Sequence, residues 1–285
     1  VLDEVLSVGG FDVMMTEKKS NRILQHQLRN SIYYILILLI AWGLKYHYSR
    51  AGSEELSWVL APTAGLVELI SGIQFGNEAH TGFVSQGYRF IIAPACAGIN
   101  FLIIAFCMAT FSGLHTFGRH RSKLFWLGTG FLSAYVLTIV VNAFRIIVSI
   151  HTYTADIQLG WLTPSRIHRL EGVVIYFFFL SLFYMIINKA SYRFRGGAAD
   201  TKPTPGRSGV TRTNYAGWIC AGLVPYSWYG LITLGVPLVN GVLQQDASRF
   251  TEHGIMVLAA SSAVLGAVLL VRIVINCIIT GWKRT

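Results

Sequence analysis

Residues Ser57–Phe75 read SWVLAPTAGLVELISGIQF, and whether this stretch crosses a bilayer decides the fold. It is apolar and long enough to span. It also contains Pro62, Gly65, Glu68 and Gly72, with polar residues recurring on one side of a helix. Outward from it lie six more convincing apolar spans: Ser31–Tyr46, Ile99–His115, Leu124–Ile147, Gly172–Ile187, Tyr215–Val239 and Ile255–Ile279. A bilayer-crossing helix needs about 17 to 25 such residues.

The loops decide the parity. Basic residues cluster in Lys18–Arg22, in GRHRSK at Gly118–Lys123, in Lys189–Arg195 and in the C-terminal WKRT. Positive charge marks cytoplasmic loops. If Ser57–Phe75 does not cross, every one of these clusters falls on the cytoplasmic side. If it crosses, GRHRSK is forced outside. The expectation is an all-α polytopic bundle of about six transmembrane helices, with Ser57–Phe75 lying along the outer membrane surface. Residues 1–30 are then a cytoplasmic N-terminal segment and 31–188 a membrane core. Residues 189–214 are a basic, flexible cytoplasmic loop, and 215–285 a C-terminal transmembrane hairpin. The first span is expected to act as a signal anchor. The segments Lys45–Gly98, Ile147–Glu171 and Gly241–Gly254 are expected outside, with a short hairpin within Gly76–Ile92.

Composition agrees. Of 285 residues, 53% are hydrophobic and 13% charged, against about 25% charged in soluble domains. The net charge of +10 suits nucleic acid in a soluble protein, but its placement between apolar spans assigns it to topology instead. No nucleic-acid partner is expected; the lipid bilayer is. The four cysteines form no CxxC pair and no Cys/His run with zinc spacing, so neither a metal nor a cofactor is expected. Trp42, Tyr46, Trp58, Trp161 and Trp218 read as an interfacial belt.

Three residues stand out. Cys96 follows Pro94 at the mouth of a span, near a helix N-terminus where the macrodipole favours a thiolate. Its ordinary reading is a small residue in a tight helix start. Arg145 lies inside an apolar span, where an arginine costs about 2.5 to 3.5 kcal/mol. It falls at the outer end, away from the side where anchoring arginines collect, and Asn142 shares its helix face. His168 precedes the fourth span at the outer interface, suited to proton transfer. Glu171 is placed to orient its ring, or simply to cap the helix. Glu252 and His253, in the last outer loop, are within conceivable reach. Residue chemistry alone leaves open a membrane enzyme, a small transporter or channel, and a non-catalytic assembly protein.

The set ACAGINF (Ala95–Phe101), VNAFRI (Val141–Ile146) and HRLEG (His168–Gly172) resembles the exosortase/archaeosortase family in order, spacing and membrane side. Gly87–Pro94 (GYRFIIAP) and WLTPSRIHRLEGVV are similar to its exosortase K branch. The resemblance is clear from Ala51 to Asn188 and weaker through GVPLVNG (Gly235–Gly241) and FTEHG (Phe250–Gly254). Cys-Ala-Gly stands where Cys-Ser-Gly is commoner in the family. The resemblance implies a cysteine-type endopeptidase or transpeptidase at the outer face of the cytoplasmic membrane. It would cut exported proteins carrying a C-terminal motif, one transmembrane helix and a basic cluster. Cys96, Arg145 and His168 match the family's Cys–Arg–His triad. The implied roles are nucleophile for Cys96, oxyanion or carbonyl holder for Arg145, and general base then acid for His168. Asn142 and Glu171 are expected to orient the last two.

Overall fold

The structure, a computed structural model, describes residues 30–87, 89–155, 163–196, 215–239 and 247–282. The expectations for the N-terminal segment 1–29, the loop residues 197–214, Trp161 and the C-terminal KRT lie outside these residues. So do the side chains of Cys220, Cys277, Arg272 and Trp218.

The chain is a polytopic membrane helical bundle. Its elements run α1 (30–48), α2 (Ser57–Ser71), β1 (Phe75–Glu78), β2 (Gly82–Ser85), β3 (Ile91–Ile92), a 3-10 turn (Pro94–Cys96), α3 (Ile99–Leu114), α4 (His120–Thr154) and α5 (Pro164–Gly196). A broken helix follows, made of α6 (Tyr215–Gly230), a π turn (Leu231–Gly235) and α7 (Val236–Val239); α8 (Ala247–Trp282) closes the described chain. Among the described residues, four helical stretches are long and apolar enough to cross a membrane: Pro94–Leu114, His120–Thr154, Pro164–Ser191 and Phe250–Ile275. Apolar helices also occupy the first and fifth expected spans, as α1 and as α6 with its continuation.

α3 is the centre of the bundle. From Ile99 to Ala109 every side chain except Asn100 is buried, including Phe101, Phe106 and Met108. α1, α4, α5 and α6 surround it. Their outward faces expose Ile32, Leu39, Leu132, Val136, Phe178 and Ile186, the apolar surface a lipid environment takes up without cost.

α2 does not carry the chain across. Its 15 residues give a rod of about 22 Å at 1.5 Å per residue, short of the ~30 Å hydrocarbon core. The contacts on either side agree. Lys45 near the end of α1 donates from Nζ to Asn100 Oδ1 at the start of α3, 2.9 Å. The chain therefore enters and leaves α2 at the same end of the bundle. At the other end, Lys123 Nζ of α4 donates to Asn30 Oδ1 at the start of α1 and stands 5.2 Å from the centre of the Tyr33 ring.

The polar residues inside the 57–75 stretch have local uses. Pro62 has no N–H for the carbonyl of Trp58 four residues back. The Tyr135 hydroxyl donates to that carbonyl instead, at 2.6 Å, with the two rings stacked 5.7 Å apart. Trp58 is therefore packed on α4, whereas Trp42 and Tyr46 are exposed as a belt requires. Glu68 accepts the Phe75 N–H at 2.6 Å and so ties the end of α2 to β1.

The expected hairpin is present as β1–β2, with Glu78 opposite Gly82, and β3 extends it to an antiparallel three-stranded sheet in the order β1-β2-β3. Phe90 meets Tyr153 edge to face at 5.9 Å and fixes the sheet to the end of α4. Two helices run further than their apolar spans. α4 begins at His120 rather than Leu124 and continues to Thr154 rather than Ile147. α5 begins at Pro164 rather than Gly172, with proline in the first turn where its missing N–H is harmless. His168 and Glu171 are therefore already helical.

Candidate active site

The site gathers at the α2 end of the bundle, where the start of α3, the last turns of α4 and the first turns of α5 converge. Cys96 ends the 3-10 turn that Pro94 opens, and its own N–H bonds the Ala93 carbonyl at 2.8 Å. It stands just before α3, which begins at Ile99, as the sequence suggested. Gly98 intervenes with φ of 70°, a left-handed turn that redirects the chain before Ile99. A Cβ at Gly98 would lie 3.3 Å from both Asn142 and Thr138, so glycine also lets this turn press against α4.

Asn142, fully buried, donates from Nδ2 to the Cys96 carbonyl oxygen. Its Oδ1 accepts from the Tyr176 hydroxyl at 2.8 Å. The same hydroxyl accepts from Arg145 Nη1 at 2.9 Å, and the guanidinium carbon stands 5.3 Å from the centre of the Tyr176 ring. Arg145 Nη2 reaches His168 Nε2 at 3.0 Å. His168 Nδ1 meets Ser149 Oγ at 3.0 Å, and Ser149 Oγ donates to Glu171 Oε2 at 3.0 Å. One hydrogen-bonded chain thus runs from the backbone of Cys96 to Glu171.

The polarity of that chain follows from its members. Arginine only donates, so His168 Nε2 presents its lone pair and the proton of the neutral imidazole is on Nδ1. Ser149 accepts from that N–H and passes its own proton toward the carboxylate. Two buried atoms are left over: Arg145 Nε and Glu171 Oε1 have no partner. Arg145 Nε lies over Gly172, where a Cβ would stand 3.3 Å away, so the absence of a side chain makes the shelf for the guanidinium.

Every candidate from the sequence is in this cluster. Cys96 joins it through its backbone carbonyl, which accepts from Asn142 Nδ2. Asn142 acts on Arg145 through Tyr176, not directly. Glu171 reaches His168 through Ser149. Glu252 pairs with Arg166 at 2.9 Å and Arg169 at 3.5 Å, while His253 lines the cavity in front of the site. Sequence reasoning missed Tyr176, Ser149, Lys45 and Tyr48. Ser149 lies one helical turn after Arg145, and Tyr176 one turn after Gly172, so helical spacing from the known pair is the signal that finds them.

The cavity holds about 340 Å³ and is lined by Lys45, Tyr48, Arg145, His168, Tyr176 and His253, among others. Ala95 and Gly98, on either side of the Cys96 turn, border it. Among the described residues no carboxylate lines it, while Lys45, Arg145 and Arg169 do. Burial holds the Tyr48 phenol above the ordinary tyrosine range, which keeps it a neutral hydrogen-bond donor at the mouth. A second cavity, of about 360 Å³, lies on the far face of His168 with Ser149, Thr152 and Glu171 in its wall. Among the described residues no group of three or more His, Cys, Asp or Glu is placed to hold a metal ion.

At one rim of an apolar helical bundle, then, the backbone of Cys96 is linked through Asn142 and Tyr176 to the Arg145 guanidinium and the His168 imidazole, in a protein of the polytopic membrane class. The model of the transmembrane exosortase family (Exosortase_EpsH) matches residues 25–185, and the chain belongs to that family. No curated protein and no solved structure matches it.

Proposed function

We propose that the chain is a membrane-embedded cysteine endopeptidase or transpeptidase of the exosortase K branch. It cleaves C-terminal sorting signals of exported proteins at the outer face of the cytoplasmic membrane. The observation that carries this reading is the unbroken hydrogen-bonded chain from the Cys96 carbonyl through Asn142, Tyr176 and Arg145 to His168. It holds three chemically different groups in one site beside a cavity.

In the resting arrangement Arg145 occupies the His168 Nε2 lone pair. A substrate carbonyl entering the cavity offers Arg145 a better acceptor, because charge-assisted bonds to a polarised oxygen strengthen in a partly dry site. Arg145 then holds that oxygen and Nε2 is free. The Cys96 S–H proton passes to Nε2, and the thiolate sulfur bonds the carbonyl carbon. The C–N bond breaks as Nε2 returns the proton to the leaving amine, which leaves a thioester on Cys96. Water or a second nucleophile completes the turnover.

The test pairs labelling with processing. In a background with Cys107, Cys220 and Cys277 replaced by alanine, a membrane-impermeant maleimide applied from outside should label Cys96. Cys96→Ala should insert normally and leave a co-expressed substrate uncut, one carrying a C-terminal motif, a helix and a basic cluster. Normal processing by Cys96→Ala cells removes the nucleophile and the reading with it.

A further inference from the structure

Resting on the reading above, we infer that Ser149 is a positioning residue that fixes the orientation and tautomer of His168 by linking it to Glu171. The geometry leaves little freedom. Arg145 has no lone pair to offer, so Nε2 accepts and Nδ1 carries the proton. That proton has one acceptor, Ser149 Oγ at 3.0 Å. The hydroxyl has in turn one strong acceptor, Glu171 Oε2 at 3.0 Å. Ser149 is on α4 and both His168 and Glu171 are on α5, so the three atoms also lock the two helices in register at the site.

The arrangement separates two jobs on one ring. The Nδ1 face is held by Ser149 and Glu171. The Nε2 face is presented to the cavity, capped by Arg145 at rest and available to a thiol when Arg145 moves. Without the hydroxyl the tautomer rests on Arg145 alone, and once Arg145 turns to the substrate the ring can present an N–H where the mechanism needs a lone pair. When His168 takes the thiol proton, its new charge is stabilised through the hydroxyl by the buried carboxylate. No proton needs to leave Ser149 in this step, because the Nδ1 proton stays on the ring. Glu171 keeps one buried oxygen unpartnered, so its whole acceptor strength on this side is spent on Ser149.

The direct test reads the ring nitrogens. The full chain, labelled with 15N-histidine in lipid nanodiscs at a pH where the ring is neutral, should show an Nδ1–H, bare-Nε2 spectrum for His168, assigned by its loss in His168→Gln. In an Arg145→Leu background, where the guanidinium no longer dictates the tautomer, Ser149 should hold the same spectrum. In that background Ser149→Ala should convert it to a mixture of tautomers, and Ser149→Thr, which keeps the hydroxyl, should restore it. Processing of the co-expressed substrate should fall about ten- to a hundredfold in kcat for Ser149→Ala, the range that hydrogen-bonded partners of a working imidazole contribute, with KM little changed. If Ser149→Ala does not fold, Glu171→Gln carries the same expectation. An unchanged His168 spectrum in a folded Arg145→Leu protein that also carries either substitution, or an Nε2–H tautomer in the wild type, overturns the inference. Because the spectrum needs no substrate, that failure is distinct from failure of the sorting reading, which Cys96→Ala decides.

Discussion

Each end of the bundle encloses one basic side chain of α4, and the two are treated differently. Lys123 is wholly buried, bonded to Asn30 and laid against Tyr33, whose hydroxyl meets His120 Nδ1 at 2.7 Å. A cavity of about 650 Å³ opens at that end, with Arg121 and Ser122 in its wall, but among the described residues lining it there is neither Lys123 nor a cysteine. Its ammonium fastens α1 to α4. Arg145 is only partly enclosed, faces a cavity, joins a hydrogen-bonded chain to a cysteine and leaves Nε unpartnered. A buried cation by itself therefore says little about function. What marks Arg145 is spare bonding capacity beside empty space and a thiol.

Three substitutions break or sharpen this contrast. The largest effect is expected for Arg145→Lys, which keeps the charge but loses the planar fork that serves Tyr176 and His168 together. Substrate processing should fall on the order of a hundred- to a thousandfold, the cost of losing one oxyanion donor. Near-normal processing would mean that charge alone suffices and that Arg145 is closer to Lys123 in kind. Smaller is Gly172→Ala. Its Cβ would press on Arg145 Nε at 3.3 Å and shift the guanidinium by a few tenths of an ångström. Processing should drop about three- to tenfold, given that a misplacement of about 1 Å costs on the order of a hundredfold. The melting temperature in detergent should barely move. Smallest in activity is Lys123→Met. It should leave turnover unchanged but lower stability by about 1 to 3 kcal/mol, as Asn30 loses a buried donor. Loss of processing by a fully folded Lys123→Met protein contradicts the division between the two ends.

Much of this was legible in the residues. The failure of 57–71 to cross follows from Pro62, Glu68 and Gly72, and the structure gives two of them local partners. Arg145 and Asn142 were visible because a charge or an amide inside an apolar helix is expensive and invites a reason, Cys96 because it follows Pro94 at the mouth of a span, and His168 and Glu171 because they precede a span at the outer interface. Tyr176 and Ser149 were not, because a tyrosine or serine in a membrane helix is unremarkable until its partner is known. Ser149 is drawn into the chain only because α5 begins at Pro164, a full two turns before its apolar stretch. That early start also brings Glu171 onto the same helix as His168. Hydropathy alone does not show it, since a helix can run on past the hydrocarbon wherever its polar groups meet water. Cys96 was placed at the mouth of a helix starting near Ile99, and it is there; what the residues did not show is that its Pro–Ala–Cys turn is closed by a left-handed glycine.

The size of the front cavity limits how a client engages. Its 340 Å³ equals the bulk volume of roughly eleven waters at ~30 Å³ each. That admits the residues flanking a cut bond, but not a folded domain or a helix. On the function proposed above, a client's membrane anchor would stay in the surrounding lipid, against the outer wall of the bundle, while a short extended neck threads inward.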